Sequence, residues 1–340
     1  MRQVNVHGLD DVRLDLAPPP NPGRKDVLIR IAACGICGTD ISCIRRGSRR
    51  ADGPLPLGHE AAGFICEAGP DVDGFRVGQR VIVNPMGGGG PADTVIGCGG
   101  SEGALTETLL VRDPKPNRSL FEIPANVPYD IAALAEPLGV AMHAVNRAAP
   151  KAGEQAMVCG AGPIGLGAIL WLKRAGVRNI VASDLSEERL DLARQVGASA
   201  TVLAGRDDLR AALTAAHGEA RTMIGTATGT DIFIDAAGAG SFVEAVVGLA
   251  KTHARLVCVG VHHKPVTINL GAMLMSEMTI TTSMGYPTEL PDVLAALAEM
   301  DPKALAPLIS HRFAFDDALQ AFEAAGKQAA AKVMIEFPLD

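Results

Sequence analysis

One stretch in the middle of the chain constrains the fold most. Residues 155–159 (QAMVC) and 179–183 (NIVAS) are short apolar runs, and residues 163–175 between them have the pattern of an apolar helix. Further predicted elements are an amphipathic helix at residues 187–196, with Ser186 as its N-cap, and apolar strands at residues 232–235 and 255–259. Strands that alternate with helices of this length predict βαβ units and a parallel sheet, and therefore an α/β fold.

The turn before the first of these helices is rich in glycine. Gly160, Gly162 and Gly165 form GAGPIG, and Asp184 ends the next predicted strand about 20 residues later. Such glycines permit a tight turn and let the backbone approach a pyrophosphate at the helix N-terminus. A carboxylate at Asp184 accepts hydrogen bonds from ribose hydroxyls and repels a 2′-phosphate, which favours NAD over NADP. The predicted cofactor site also includes residues at the starts of the two adjoining helices: Pro163, Ile164 and Arg189. The alternative is a loop that serves only the turn, with Asp184 as a solvated helix-start residue.

The two ends of the chain have a different character. Residues 1–115 are β-rich, with short apolar runs such as 26–33 (DVLIRIAA) separated by Gly and Pro. Residues 86–100 (MGGGGPADTVIGCGG) contain too much glycine for a regular element and predict a mobile loop. Beyond residue 287 the pattern predicts two more helical stretches and a closing strand at 332–337.

Candidate metal ligands are scattered through the first 140 residues. Cys37 lies in CGICGTD, His59 and Glu60 lie in GHEAAG, and Glu136 lies in AEPLGVA. A thiolate, an imidazole and a carboxylate are a normal zinc set, but only a fold could bring these residues together. Each motif has a simpler interpretation. Cys34 and Cys37 could be a redox pair or two buried thiols, and His59 and Glu60 could lie in a surface loop.

Taken together, the motifs resemble those of a known family. The segments GICGTD, GHEAAG, AEPLGVAMHA, GAGPIGLG and the closing SHRFAFDDALQAFEAA…AKVMI occur in this order along the chain. They resemble the medium-chain zinc dehydrogenases, most closely the polyol branch of sorbitol, idonate and threonine dehydrogenases. The resemblance implies a GroES-like β-rich catalytic domain, residues 1–143 and 287–340, with a Rossmann NAD-binding domain, residues 144–286, inserted into it.

The resemblance also implies site roles and a reaction. Cys37 and His59 would bind a catalytic zinc ion, with Glu60 or Glu136 as the third ligand. Zinc would act as a Lewis acid on the substrate oxygen, and hydride would pass between a secondary alcohol or polyol and NAD. Thr39 matches the hydroxyl residue that takes the alcohol proton. Ser42 stands where the family normally has a histidine, so the proton relay is altered or Ser42 is only a loop residue.

A second departure concerns cysteines. The family often carries four close cysteines that bind a structural zinc, whereas this chain has only Cys98 in that region. One thiolate cannot close a tetrahedral site, so we expect one catalytic zinc per subunit and no structural zinc. The remaining thiols are expected to be packing residues: Cys43, Cys66, Cys159 and Cys258.

Four arginines follow the Cys37 motif within six residues: Arg45, Arg46, Arg49 and Arg50. By resemblance this stretch leads to the substrate entrance. A guanidinium pair there could bind the carboxylate of a sugar acid. The alternative is a solvated loop with ordinary charges.

Composition limits the classes of partner. The net charge of −7 argues against a nucleic-acid partner. The chain has no apolar run long enough to span a bilayer, and its first 15 residues lack the apolar segment of a signal peptide. An odd number of cysteines, 7, suggests free or metal-bound thiols in a reducing cytoplasm.

We therefore expect a cytoplasmic homodimer or homotetramer that acts on a small-molecule alcohol. Two alternatives stay open at this point. One is a zinc-free quinone or enoyl reductase of the same superfamily, although such proteins lack the Cys and His ligands. The other is a protein that binds nucleotide without turnover.

Overall fold

The structure is a computed structural model that describes residues 1–48, 50, 53–87, 95–223 and 225–339. The strands, in chain order, are β1 (Arg2–Gly8), β2 (Asp11–Leu16), β3 (Val27–Ile36), β4 (Leu55–Pro56), β5 (Glu60–Ala68), β6 (Arg80–Val83), β7 (Thr108–Val111), β8 (Leu120–Glu122), β9 (Gln155–Cys159), β10 (Asn179–Asp184), β11 (Ala200–Leu203), β12 (Glu219–Thr222), β13 (Gly225–Thr228), β14 (Ile232–Asp235), β15 (Arg255–Cys258), β16 (Thr279–Thr282), β17 (Ile309–Ala314) and β18 (Lys332–Glu336). The α-helices are α1 (Gly38–Arg46), α2 (Tyr129–Ala133), α3 (Ala135–Ala148), α4 (Pro163–Arg174), α5 (Glu187–Val196), α6 (Leu209–His217), α7 (Gly240–Leu249), α8 (Leu270–Ser276), α9 (Leu290–Glu299), α10 (Pro302–Leu305) and α11 (Ala318–Ala325).

The chain divides into two compact units. One consists of Met1–Glu136 with Leu290–Asp340, and the other of Pro137–Glu289. The domain limits inferred from the sequence, residues 1–143 with 287–340 and residues 144–286, stay a prediction.

The unit Pro137–Glu289 contains a six-stranded parallel sheet. Its strand order is β11-β10-β9-β14-β15-β16, so the first strand in the chain, β9, lies in the middle. This is the Rossmann order, and the direction of strand succession reverses between β9 and β14. Ligands of such sheets bind beyond the carboxyl ends of the strands at this switch point. The strands are apolar on both faces because helices cover them, and their buried centre includes Met157, Val181 and Phe233.

The other unit is built on strands from both ends of the chain, which pair antiparallel except that β17 and β18 are parallel. Its main sheet has the order β17-β18-β3-β5-β6-β8, and β7 also pairs with β3. The C-terminal strand β18 lies antiparallel to β3, with Met334 opposite Gly35. A smaller sheet has the order β2-β1-β4. Because β18 completes a sheet begun about 300 residues earlier, the two chain ends share one hydrophobic core. The predicted fold class, an α/β chain with a GroES-like unit and a Rossmann unit, is confirmed.

The predicted elements around the glycine-rich turn agree closely with the structure. Strand β9, helix α4, strand β10 and helix α5 begin where the sequence places them, and the Ser186 hydroxyl caps α5 by accepting from the Arg189 amide. The β12–β13 hairpin was not predicted. Its strands, EART and GTAT, pair with each other and not with the six-stranded sheet. Because they do not enter that buried sheet, they need no apolar run, which is the pattern used to predict strands.

The glycine-rich segment 86–100 is described only in part. Residues 95–100 form turns without a regular element, and residues 88–94 lie outside the described residues. Across the ranges given above, no helix is both long enough and apolar enough to cross a membrane.

Candidate metal centre and dinucleotide site

Antiparallel pairing of β3 and β5 creates the candidate metal centre. Gly35, near the end of β3, lies opposite Glu60, the first residue of β5. Cys37 follows at the N-cap of α1, and His59 immediately precedes β5. Ligand atoms of Cys37, His59 and Glu60 all lie within 4.8 Å of one another. Thiolate, imidazole and carboxylate donors in one place form a donor set that fits a zinc ion.

Gly35 leaves the space that this arrangement needs. A Cβ atom on Gly35 would lie 2.1 Å from Oε2 of Glu60 and 3.1 Å from Cδ of Lys332. No other residue type fits there without displacing one of these side chains. The glycine of the CGIC motif thus has a steric role that its sequence context did not reveal.

Glu60 forms a buried ion pair with Lys332 of β18. The Lys332 ammonium donates to both carboxylate oxygens, at 2.6 Å to Oε1, and also to the Ile36 carbonyl at 2.8 Å. Both side chains are only 1% exposed. Burial by itself lowers the pKa of Lys332, but the charges of Glu60, Cys37 and Glu136 and the hydrogen bond to Glu60 raise it above its usual range. Lys332 therefore supplies a fixed positive charge behind the metal ligands.

Asp40 connects the two segments that carry the ligands. Its Oδ2 accepts from the Cys37 amide at 2.8 Å, and its Oδ1 accepts from the Gly58 amide at 3.2 Å. Oδ1 also lies 3.5 Å from Nδ1 of His59, and the carboxylate is fully buried. Asp40 can therefore orient the imidazole, as outer carboxylates do in zinc sites. Sequence reasoning missed this residue, although an acid at the third position of a helix is a capping signal.

Cys98 also contacts His59. Its Sγ lies 3.4 Å from Nδ1, so the thiol faces the same ring nitrogen as Asp40. Burial by itself lowers the pKa of His59, but the Asp40 charge and hydrogen bonds to Asp40, Cys37 and Cys98 raise that pKa well above its ordinary value. The surroundings of this imidazole therefore attract a cation. The sequence placed Cys98 in a lobe with a different expected role and did not associate it with the catalytic ligands.

The other predicted catalytic residues lie close to this centre. Thr39 is exposed on the first turn of α1, with Oγ1 3.6 Å from Sγ of Cys37. Ser42 follows one turn later and is half-buried. Glu136, in the first turn of α3, lies near enough to Lys332 for its charge to help raise the pKa of that ammonium. Among the described residues, the group within 4.8 Å contains Glu60 rather than Glu136.

The arginine group does not form a single cluster among the described residues. Arg46 folds back on its own helix, where Nε donates to the Ser42 carbonyl at 3.1 Å. Arg50 donates to the Gly99 carbonyl at 3.2 Å, and Arg45 is exposed in the last turn of α1. Arg49 lies outside the described residues.

The other cysteines differ in their surroundings. Cys34 is fully buried in β3, where burial first and the charges of Asp40 and Glu60 next raise its pKa well above the ordinary value. Cys43 and Cys159 are buried, and Cys258 is half-buried. Cys66 is exposed, so the prediction that it packs in the core is wrong. It follows the buried Ile65 on β5, and successive side chains of a strand point to opposite faces.

The glycine-rich turn joins β9 to α4, as predicted. Gly160 has φ 93°, a conformation that favours glycine, and a Cβ on Gly165 would lie 1.7 Å from the Gly160 carbonyl oxygen. Gly162 is the N-cap of α4, and Pro163 and Ile164 begin the helix. The nearest atom to a Cβ on Gly162 would be Nη1 of Arg189, at 3.8 Å. The turn therefore leaves backbone amides open to a phosphate group.

Asp184 ends β10 beside this turn. Its Oδ2 accepts from the Ala161 amide at 2.7 Å, and its Oδ1 accepts from the Ser186 amide at 3.0 Å. Nη1 of Arg189 lies 3.8 Å from Oδ2. The carboxylate thus braces the phosphate-binding turn and also presents negative charge at the end of the strand.

Comparison with known proteins identifies the family of the chain. Residues 163–299 match the zinc-binding dehydrogenase family, and residues 23–125 match the alcohol dehydrogenase GroES-like domain. Sorbitol dehydrogenase of Bos taurus is 32% identical over 347 residues, which cover 97% of this chain and 94% of that protein. The structure of 2R,3R-butanediol dehydrogenase from Bacillus subtilis has a TM-score of 0.86 and 27% identity, and covers 98% of this chain and 99% of its own.

A zinc-binding dehydrogenase from Sinorhizobium meliloti, solved with NADP bound, is similar with a TM-score of 0.83 and 26% identity, covering 98% of each chain. The family matches cover both structural units, and the relatives extend over nearly the full length of the chain. The chain thus belongs to the zinc-dependent medium-chain dehydrogenases, in the polyol-dehydrogenase-like branch, and is an alcohol or polyol dehydrogenase.

Proposed function

We propose that this dehydrogenase oxidises a secondary alcohol or polyol with NAD and carries one catalytic zinc ion per subunit. The observation that carries the proposal is the convergence of Cys37, His59 and Glu60 within 4.8 Å. Zinc-free reductases of the superfamily lack these ligands.

Two glutamates compete for the third ligand position. Glu60 lies within the ligand group, but both of its oxygens accept from Lys332. Glu136 is half-buried and interacts with the same ammonium through its charge. Comparing the zinc affinities of Glu60→Gln and Glu136→Gln would assign the position, since loss of a direct ligand weakens binding more than loss of an outer residue.

A zinc ion at this centre supplies Lewis-acid polarisation of a substrate oxygen. The chain contributes the proton transfers and the positioning. Thr39 presents an exposed hydroxyl beside Cys37, where it can accept a hydroxyl proton from an alcohol. Ser42 lies one helical turn further and can pass that proton towards water, because positions three apart share a helix face. Asp40 and Lys332 are buried and hold the ligand-bearing segments in place.

Asp184 supports NAD as the preferred cofactor. A carboxylate at the end of the second strand accepts from ribose hydroxyls and repels a 2′-phosphate. Arg189 stands next to this carboxylate, at 3.8 Å, and would favour a 2′-phosphate if the carboxylate were removed. The pair therefore makes the cofactor preference sensitive to a single substitution.

Metal content and turnover test the proposal together. Elemental analysis is expected to give one zinc per chain whose binding requires Cys37, and NAD reduction should be found in a panel of polyols, sugar acids, amino alcohols and cyclic secondary alcohols. Cys37→Ala should remove the catalytic zinc and turnover while dinucleotide binding persists, whereas the exposed Cys66→Ala should change neither. A second tightly held zinc ion that requires Cys98 would contradict the proposal of one catalytic zinc and no structural zinc, and full activity without zinc would overturn the mechanism.

The proposal includes a cytoplasmic location and a homodimeric or homotetrameric state. The described residues include seven cysteines that are all free thiols, which supports a reducing compartment. Light scattering of the purified protein would test the assembly, and a monomeric mass would contradict it.

A further inference from the structure

A second group of metal-binding side chains lies in the Rossmann unit. In the parallel sheet, Asp235 at the end of β14 is opposite Cys159 of β9 on one side and Cys258 of β15 on the other. Residues opposite each other in a parallel sheet point to the same face. The carboxyl ends of these three strands therefore present a carboxylate between two thiols.

The two oxygens of Asp235 have different surroundings. Oδ1 accepts from the amides of Ala237, Gly238 and Ala239, which hold the start of α7. Oδ2 has no hydrogen-bond donor among the residues that the structure describes, although the side chain is fully buried. Nε2 of His262 lies 2.7 Å from this oxygen, but not in a direction that makes a hydrogen bond. A buried carboxylate oxygen that faces an imidazole nitrogen without a hydrogen bond between them can share a bound cation with that nitrogen.

We propose that Asp235, Cys258 and His262 form a second binding site for a thiophilic divalent cation, represented by Zn²⁺. Their ligand atoms lie within 4.8 Å of one another, which small rotations can bring to tetrahedral coordination. Three protein ligands leave a fourth position for water. On binding, the Cys258 thiol releases its proton to solvent and the thiolate coordinates the ion.

The surroundings distinguish Cys258 from Cys159. Cys258 is half-buried and the His262 side chain is 22% exposed, which gives an ion access from solvent. Cys159 is buried and is not part of the ligand group. It therefore provides a matched control for Cys258.

The position of the site suggests its consequence. Asp235 lies on β14, beside the switch point where dinucleotides bind to sheets of this order. An ion held there would occupy space needed by the dinucleotide. We therefore expect divalent metal to compete with NADH, a consequence that rests on the proposed cofactor function.

Cobalt binding tests the site without relying on activity. The background is the full chain with Cys37→Ser and His59→Gln, which removes two ligands of the catalytic centre. Titration with Co²⁺ should give one bound ion and a near-ultraviolet thiolate-to-cobalt band. Adding Cys258→Ser should abolish the band and weaken binding by more than about tenfold, and adding Cys159→Ser should preserve both.

His262→Gln provides a second variant in case Cys258→Ser folds poorly. It should weaken Co²⁺ binding by a similar factor, because the imidazole is a direct ligand. Absence of the cobalt band in the background protein, or a band that persists in Cys258→Ser, would overturn the site.

Competition with the cofactor is measured separately. In the background protein, Co²⁺ should raise the apparent Kd for NADH, and Cys258→Ser should remove this effect. Failure to bind NADH in the absence of metal would refute the proposed cofactor function and leave the cobalt result intact. Simultaneous binding without mutual effect would show that the ion does not occupy the dinucleotide position.

Discussion

Replacement of Lys332 by methionine should strongly destabilise the β-rich unit. The substitution keeps an unbranched side chain but removes the ammonium that donates to both oxygens of Glu60. Glu60 is 1% exposed, so water cannot replace this partner. Removing one member of a buried ion pair costs about 3–5 kcal/mol, because the remaining charge stays in a poorly solvated position. We expect the free energy of unfolding to fall by this amount.

The assay is urea unfolding of metal-free protein followed by circular dichroism, since bound metal would add stability of its own. Lys115→Met is the matched control. Lys115 pairs with Asp113 at 2.9 Å, but both side chains are more than half exposed, so its loss should leave the free energy of unfolding nearly unchanged. The double variant Glu60→Gln with Lys332→Met should recover part of the loss, because no unpaired charge stays buried. Equal small effects of Lys332→Met and Lys115→Met would refute the reasoning.

Three further predictions concern single residues. Gly35→Ala should destabilise the protein by about 1–3 kcal/mol and weaken zinc binding, because the new Cβ would lie 2.1 Å from Glu60. In the control Gly38→Ala the new Cβ meets nothing within 4 Å, so equal unfolding midpoints of the two variants would contradict this prediction. Asp184→Ser should raise kcat/KM with NADP relative to NAD by roughly tenfold or more, since about 1.4 kcal/mol of discrimination against the 2′-phosphate is lost. An unchanged ratio in steady-state kinetics would show that Asp184 does not set the cofactor preference. Burial lowers the pKa of His217 from 6.5 to about 4, so the neutral ring favours the folded state, and about 3 kcal/mol of the free energy of unfolding is lost as the pH falls from 6.5 towards 4. In urea unfolding at several pH values, His217→Gln should reduce this loss, whereas replacement of the exposed His253 by Gln should not.

The sequence by itself determined the parallel-sheet unit and indicated most of the candidate metal ligands. Alternating apolar strands and helices predict a parallel sheet from local periodicity, and GAGPIG encodes a turn whose glycine requirements arise within six residues. Cys37 and His59 could be identified because their neighbouring residues resemble those of one family. These inferences succeed because the information lies in short segments of the chain.

Only the tertiary structure decided which distant side chains complete the sites. Lys332 reaches Glu60 across 272 positions because β18 lies beside β3, and Asp235 meets Cys258 because β14 and β15 are adjacent in register. Cys98 contacts His59 from a segment with no recognisable pattern. A one-residue change of register would turn each strand residue to the opposite face. Strand pairing, which no local pattern specifies, therefore decides whether these charges and thiols lie together or apart.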